Sequence, residues 1–557
     1  MGRHITRIRN LASYELLYGD ALPSEQLLEL FRRVPAEPAL SIIGSLSLAV
    51  SVKGPDHADV VEHLVDKIQD VQLRELALLG IRSGEVEALF SPQALAVAAQ
   101  LCCLPSGEDH EVGEWETCLL KGILAITDLI GIYEEEPEAV DLDALAWSVF
   151  VSQAASTRHA LRDLFLRYHS IYLECWPRVR DLHPKEYWDL PAAFRRSVGV
   201  DLDRFLALAF TLASKLDGHG RSSSGLIPAE LWNPDLSAAT VDPAEMSALH
   251  RCISTDITRL AESAVAAVDE DRWSHDDRHL MERPVVKVGD RRIAASFPHL
   301  TRTLTDGVVW IAGDKRETSA ARTCLGRAFE EYVRDLLRVG GEDLFFSGVP
   351  EGLRDVEIDG LLLEPPQVLV VEALVATPMH QMKSPEKQHK FHEYIARILV
   401  EKSKKLQSKI EAMQGSPTAA VNGLPLSEID TYWPVLVFLA DVPVEPHVLW
   451  PYYCGKLEEA GVDVTGSMRR LQLCSVVDLE YLMALRSTQS PIGILREKLA
   501  RRGLQGESVK NFVLDKFGDS ADEHFGRHYE EAWKRLEATY IQEFFHRDET
   551  EKDMGGP

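Results

Sequence analysis

The sequence predicts a mixed α+β or α/β protein: an all-helical N-terminal region over residues 1–280, a mixed-sheet domain over 281–490, and C-terminal helices with a polar tail over 491–557. Three observations support this. Apolar residues recur at three- and four-residue spacing through the first 280 positions. Near Arg283 the pattern changes to the alternation of strands. From about residue 325 the elements read α-β-β-β-α-β-α-β-α, an order that suggests a mixed sheet flanked by helices.

In the N-terminal region, segments such as SEQLLELFRRV, LRELALLGI and DRFLALAFTLASKL carry the helical spacing, with short polar breaks between them. Beyond it, RPVVKVGDRRIAASF reads as a hairpin turning at Gly289-Asp290, followed by a helix, LTRTLTDGVVWIA. A second helix, RAFEEYVRDLLRVG, has one apolar stripe of Ala328, Phe329, Tyr332, Val333, Leu336 and Leu337. Next, DVEIDGLLLEPPQVLVVEALVATP reads as strand, Pro-Pro turn, strand. A long polar helix is expected from about Lys387 to Met413, then a buried strand in WPVLVFLAD, then a strand and a helix capped near Asp478.

Composition limits the function classes. The 557 residues are 45% hydrophobic, enough for sizeable cores. Sixty basic against 87 acidic residues give a formal charge of −27, which argues against broad coating of nucleic acid but leaves room for a local basic groove. The eight cysteines form no CxxC pair, which disfavours a cysteine zinc site and fits a reducing compartment. The N-terminus lacks a signal-peptide core, and the longest apolar run, Ala39 to Val52, is too short to span a bilayer. The expectation is a cytoplasmic protein with no membrane partner.

One residue stands out chemically. The strand from Val368 to Ala376 is apolar at every position except Glu372. A buried carboxylate is strongly disfavoured unless it is protonated, paired or bound to a metal. Asp359 ends the preceding strand, and across the turn the two can be cross-strand neighbours. Two adjacent carboxylates repel unless a cation joins them, and Mg²⁺ is held by one or two carboxylates plus water and phosphate oxygens.

A helix bearing FE, then DG, then an apolar strand bearing Glu resembles the PD-(D/E)XK nuclease fold, also called restriction-endonuclease-like. The resemblance spans roughly residues 283–490, with its core at 325–410. The upstream segment RPVVKVGDRRIAASFPHL resembles the hairpin and helix that precede this domain in many bacterial nuclease-like proteins. The resemblance implies that Asp359 and Glu372 hold Mg²⁺ or Mn²⁺, with Glu330 as the first-helix glutamate. It further implies a DNA or RNA endonuclease in bacterial, antiviral defence against foreign nucleic acid. The family's motif lysine would fall at position 374, where this chain has Leu374. Some members supply that lysine from the next helix, where Lys402 sits in an apparent apolar stripe of Ile395, Leu399, Lys402, Leu406, Ile410 and Met413, flanked by Lys405 and Lys409. Lys402 and Lys405 are therefore the expected substitutes.

Between Met379 and Met413 lie eight Lys or Arg and four Glu, a local basic face in an acidic protein. The Lys383–Lys409 segment is the expected nucleic-acid contact. The helical region is the expected surface for a protein partner or activator. An alternative reading keeps the fold without catalysis, as a binding or scaffold module in which Lys402 neutralises Glu372. Weaker patterns carry less. HDDRH, from His275 to His279, is read as polar loop rather than metal ligands, and GVDVTGSM lacks the lysine of a P-loop.

Overall fold

The structure, a computed structural model, describes residues 14–51, 68–83, 90–105, 115–130, 143, 146–147, 161–219, 242–270, 273, 277–313, 318–339, 341–375, 388–440, 442–444, 448–501, 506–518, 530 and 534. The polar C-terminal tail, His275 and Lys383 lie outside these residues. Among the described residues no helix is long and apolar enough to cross a membrane. All eight cysteines are free thiols.

The protein combines helices with a five-stranded mixed sheet and two smaller sheets. Strands β1 (Ser254–Asp256), β2 (Val285–Val288) and β3 (Arg291–Ala294) form the first small sheet. β2 and β3 are the hairpin expected from alternation; Gly289 turns it at a φ of 60°, where glycine meets no Cβ penalty. β1 pairs in parallel with β2, so the region before residue 280 is not wholly helical. A three-residue strand whose partner lies beyond two intervening helices has no periodicity to reveal it. Alternation lets this sheet serve two cores. Val286 and Ile293 join one built from helices between residues 24 and 130 together with Leu260, Ala264, Ala267 and Leu280, whereas Val285 and Ala294 join the core that underlies the main sheet.

The stretch expected as one helix after the hairpin is two, Phe297–Leu304 and Val308–Ala312. Gly307 sits between them against the Thr303 backbone, where a Cβ would overlap it. The next helix, Thr318–Arg338, starts earlier than the sequence suggests and buries the whole predicted apolar stripe.

β4 (Phe345–Gly348), β5 (Ile358–Glu364) and β6 (Gln367–Leu374) form an antiparallel meander. A small hairpin, β7 (Ala420–Val421) and β8 (Leu424–Pro425), then precedes β9 (Thr431–Phe438) and β10 (Gln472–Ser475). The main sheet runs β10-β9-β6-β5-β4, with β6, β9 and β10 parallel. β6 lies at the centre and is buried at every position but its first. That explains an unbroken apolar run, where a strand with one wet face would alternate. Leu369, Val371 and Ala373 share a core with the Thr318–Arg338 helix and the C-terminal helices. Val368, Val370 and Leu374 share the opposite core with the helical run from Gln388 to Gly415. Pro434 is tolerated inside β9 because β10 begins opposite Val435, so Pro434 has a partner on one side only.

Candidate functional site

β5 and β6 supply the two carboxylates. Gly360 pairs with Val371, and that register sets Asp359 opposite Glu372. Gly360 itself is required by packing, since a Cβ there would run into the Leu337 side chain of the Thr318–Arg338 helix. The same helix brings up two further groups. Arg334 donates from Nε to the Asp359 carbonyl at 3.2 Å and is itself paired with buried Glu331. Glu330 lies close enough for its charge to act on Asp359. Its Oε2 accepts from Arg327 Nη1 at 2.8 Å, and Arg327 also binds Glu186 of the helical region at 2.8 Å.

Glu372 is only 6% exposed. Lys409 Nζ donates to its Oε2, and Lys402 Nζ lies 3.8 Å from Oε1. Asp359 Oδ2 accepts from the Ala373 N–H at 2.9 Å. Burial, then the negative charges of Glu372 and Glu330, push the Asp359 carboxyl up to about 7, against the opposing pull of Lys409 and the Ala373 N–H. Two carboxylates thus face each other near one end of the adjacent strands β5 and β6, within reach of the Glu330 charge and faced by lysines from the other layer.

The structure brings together Glu330, Asp359, Glu372 and Lys402. It does not bring in Lys405, whose side chain is exposed. Lys402 does not belong to the apolar stripe either: Ser403, at 0% exposure, holds that position and Lys402 lies beside it. The cause is a π-helical turn, Ile395–Val400, between Gln388–Tyr394 and Glu401–Gly415. Its wider turn shifts the phase of the buried face by one residue. Lys409, two turns beyond Lys402, therefore makes the direct contact, and its spacing from Lys402 was the available signal. Leu374 is buried in the core beside this helix.

Elsewhere the basic segment is mixed. Lys390 is paired with Glu393 at 2.8 Å, whereas Arg397, Lys404 and Lys405 are exposed. In HDDRH, Asp277 binds His299 Nε2 at 3.1 Å while His279 Nε2 lies 2.6 Å from Thr255 Oγ1, so the two engage different partners. Among the described residues no group of three or more His, Cys, Asp or Glu is arranged to hold a metal.

The raised Asp359 carboxyl has a thermodynamic consequence. Between about pH 4 and 7 the folded chain binds this proton and the unfolded chain does not, so folding stability falls as pH rises through that window. In metal-free buffer, Asp359→Asn is expected to flatten the slope and to melt above the parent protein at pH 8. Melting temperatures from pH 5 to 8 in EDTA check this; equal slopes in the two proteins would refute it.

No family model matches the chain, and no curated protein or solved structure matches it.

Proposed function

We propose that the chain is a metal-dependent endonuclease with a restriction-endonuclease-like domain, acting on phosphodiesters of DNA or RNA. The carrying observation is the pairing of Asp359 opposite Glu372 on adjacent strands, near the charge of Glu330, with a lysine ammonium on Glu372 from the facing helix. The order helix, antiparallel meander, helix, parallel strand also supports it.

The donor set fits Mg²⁺ or Mn²⁺. Such an ion needs only one or two protein carboxylates, so a cluster of three ready ligands is not required. Burial, and then the charges of Glu372 and Glu330, hold a proton on Asp359, and a cation would relieve the repulsive part. Asp359 and Glu372 would hold the ion, which when bound supplies activation of water and stabilisation of the leaving oxygen. Lys409 takes the role left vacant at Leu374: its ammonium donates towards the scissile phosphate, with Lys402 as a second positive charge. Glu330, paired with Arg327, adds its negative charge beside Asp359. The exposed Arg397, Lys404 and Lys405 would contact the phosphate backbone without reading sequence. The helical region would receive a partner or activator, and the resemblance to bacterial nuclease-like proteins supports a role in defence.

The direct Lys409–Glu372 ion pair also favours a second reading, a scaffold in which lysine replaces the metal for good. Thermal melting with Mn²⁺ at pH 8 separates the two. A nuclease site is expected to gain stability with Mn²⁺, by about 2.7 kcal/mol at a hundredfold excess over Kd, and to lose that gain in Asp359→Asn and Glu372→Gln. A scaffold shows no Mn²⁺ shift and a sharp fall in melting temperature for Lys409→Ala.

A further inference from the structure

A second charged feature lies at the other end of the main sheet. Gln367 opens β6 and Thr431 opens β9, and one residue separates Arg469 and Arg470 from the start of β10. Together with Arg496 of the Pro491–Ala500 helix and with Trp433, they line a pocket of about 330 Å³. Along β6, Gln367 is five residues from Glu372, about 17 Å at strand rise, so this is not part of the carboxylate site.

Three arginines line this one pocket, and among the described residues none of them is ion-paired. Arg501, just beyond them, is paired with Asp515 at 3.4 Å and lies 3.9 Å from Glu497. Among the described residues no carboxylate is paired with Arg469, Arg470 or Arg496. Arg470 stacks over the Trp433 ring, 5.5 Å from its centroid. Burial, and then the neighbouring charges of Arg469 and Arg496, lower its guanidinium below the ordinary value. Three guanidiniums that share a pocket and have no ion-paired carboxylate among the described residues, in a chain of net charge −27, offer a local positive site for an anion. Gln367 adds an amide: its Oε1 accepts from Trp433 Nε1 at 3.0 Å, which leaves its N–H groups as donors.

We infer that this pocket is an anion site that receives the phosphate of a nucleotide-sized ligand. Guanidinium forks match phosphate oxygens in pairs, which a single ammonium does not. Three of them suit a group carrying two or more negative charges. The volume is at the lower end of ligand pockets, near the size of one nucleotide. A free nucleotide and the 5′-phosphorylated end of a strand present the same chemistry. The inference does not depend on the metal site.

The test is calorimetric titration in EDTA, which takes divalent metal out of the measurement. The probes are a nucleoside 5′-monophosphate, a nucleoside 5′-triphosphate, the unphosphorylated nucleoside, and a short oligonucleotide with and without a 5′-phosphate. The double variant Arg469→Ala/Arg496→Ala removes two exposed side chains and leaves Arg470 packed on Trp433. The expected result is binding of phosphorylated probes alone, weakened at least tenfold in the double variant, with its ligand-free melting temperature not lowered. Tighter binding of the free nucleotides would assign a small-molecule ligand; tighter binding of the phosphorylated oligonucleotide would assign a strand end. No binding of any phosphorylated probe at millimolar concentration, or binding unchanged in the double variant, would overturn the inference.

Discussion

Replacing Arg167 by methionine is expected to destabilise the folded protein by about 3–5 kcal/mol. Arg167 donates from Nε and Nη2 to the two carboxylate oxygens of Glu480, each at 2.6 Å, and the Tyr332 hydroxyl donates to the same carboxylate at 2.7 Å. Arg167 is 1% exposed and Glu480 0%. The three residues come from the helices Leu161–His169, Thr318–Arg338 and Val476–Ala484, so the pair ties the helical region to the sheet domain. Methionine fills similar space but leaves a buried carboxylate without its cation, which is the costly outcome. Arg167→Met/Glu480→Leu removes both charges and is expected to recover most of the loss. Arg167→Lys is expected to fall between, because an ammonium cannot reproduce the two-pronged contact. Urea midpoints of the four proteins check the series; a single variant as stable as the parent would refute it.

The second large effect follows from the proposed nuclease reading. Under it, Lys409→Ala is expected to lower cleavage by about 10²–10³, the usual cost of losing one preorganised donor at developing charge. Lys402, farther from Glu372, is expected to matter less, and the exposed Lys405 hardly at all. Initial rates of the three alanine variants with Mn²⁺ give the ranking. Equal losses at Lys405 and Lys409 would contradict the placement of the migrated lysine. The contrast also isolates chemistry from general attraction to nucleic acid, since all three substitutions remove the same charge from one helix.

Much of the sheet was legible because its signals are local. The unbroken apolar run around Glu372 marks a strand with neighbours on both sides and helices on both faces, which is where β6 lies. Asp359 is expected to end its strand but lies near the start of β5, Ile358–Glu364, and the reason for Gly360, the approach of Leu337, is visible only in packing. The missing information is non-local. Nothing in the spacing of Arg167 or Glu480 announces a partner 313 positions away. Periodicity assigns Lys402 to the stripe and Lys409 to its flank because it assumes 3.6 residues per turn, and the π-helical turn at Ile395–Val400 breaks that assumption. The arginine pocket escaped for a similar reason, since Arg496 joins Arg469 and Arg470 only through the packing of the Pro491–Ala500 helix.

The measurement that bears most directly on the nuclease assignment is cleavage of single- and double-stranded DNA and RNA by the full chain with Mn²⁺ or Mg²⁺, beside Glu372→Gln. Glutamine keeps the shape of the side chain and removes the charge that would hold the ion. Metal-dependent cleavage of at least one substrate by the parent protein, and none by the variant, is the expected result. Cleavage that persists in Glu372→Gln, or that needs no divalent metal, would contradict it.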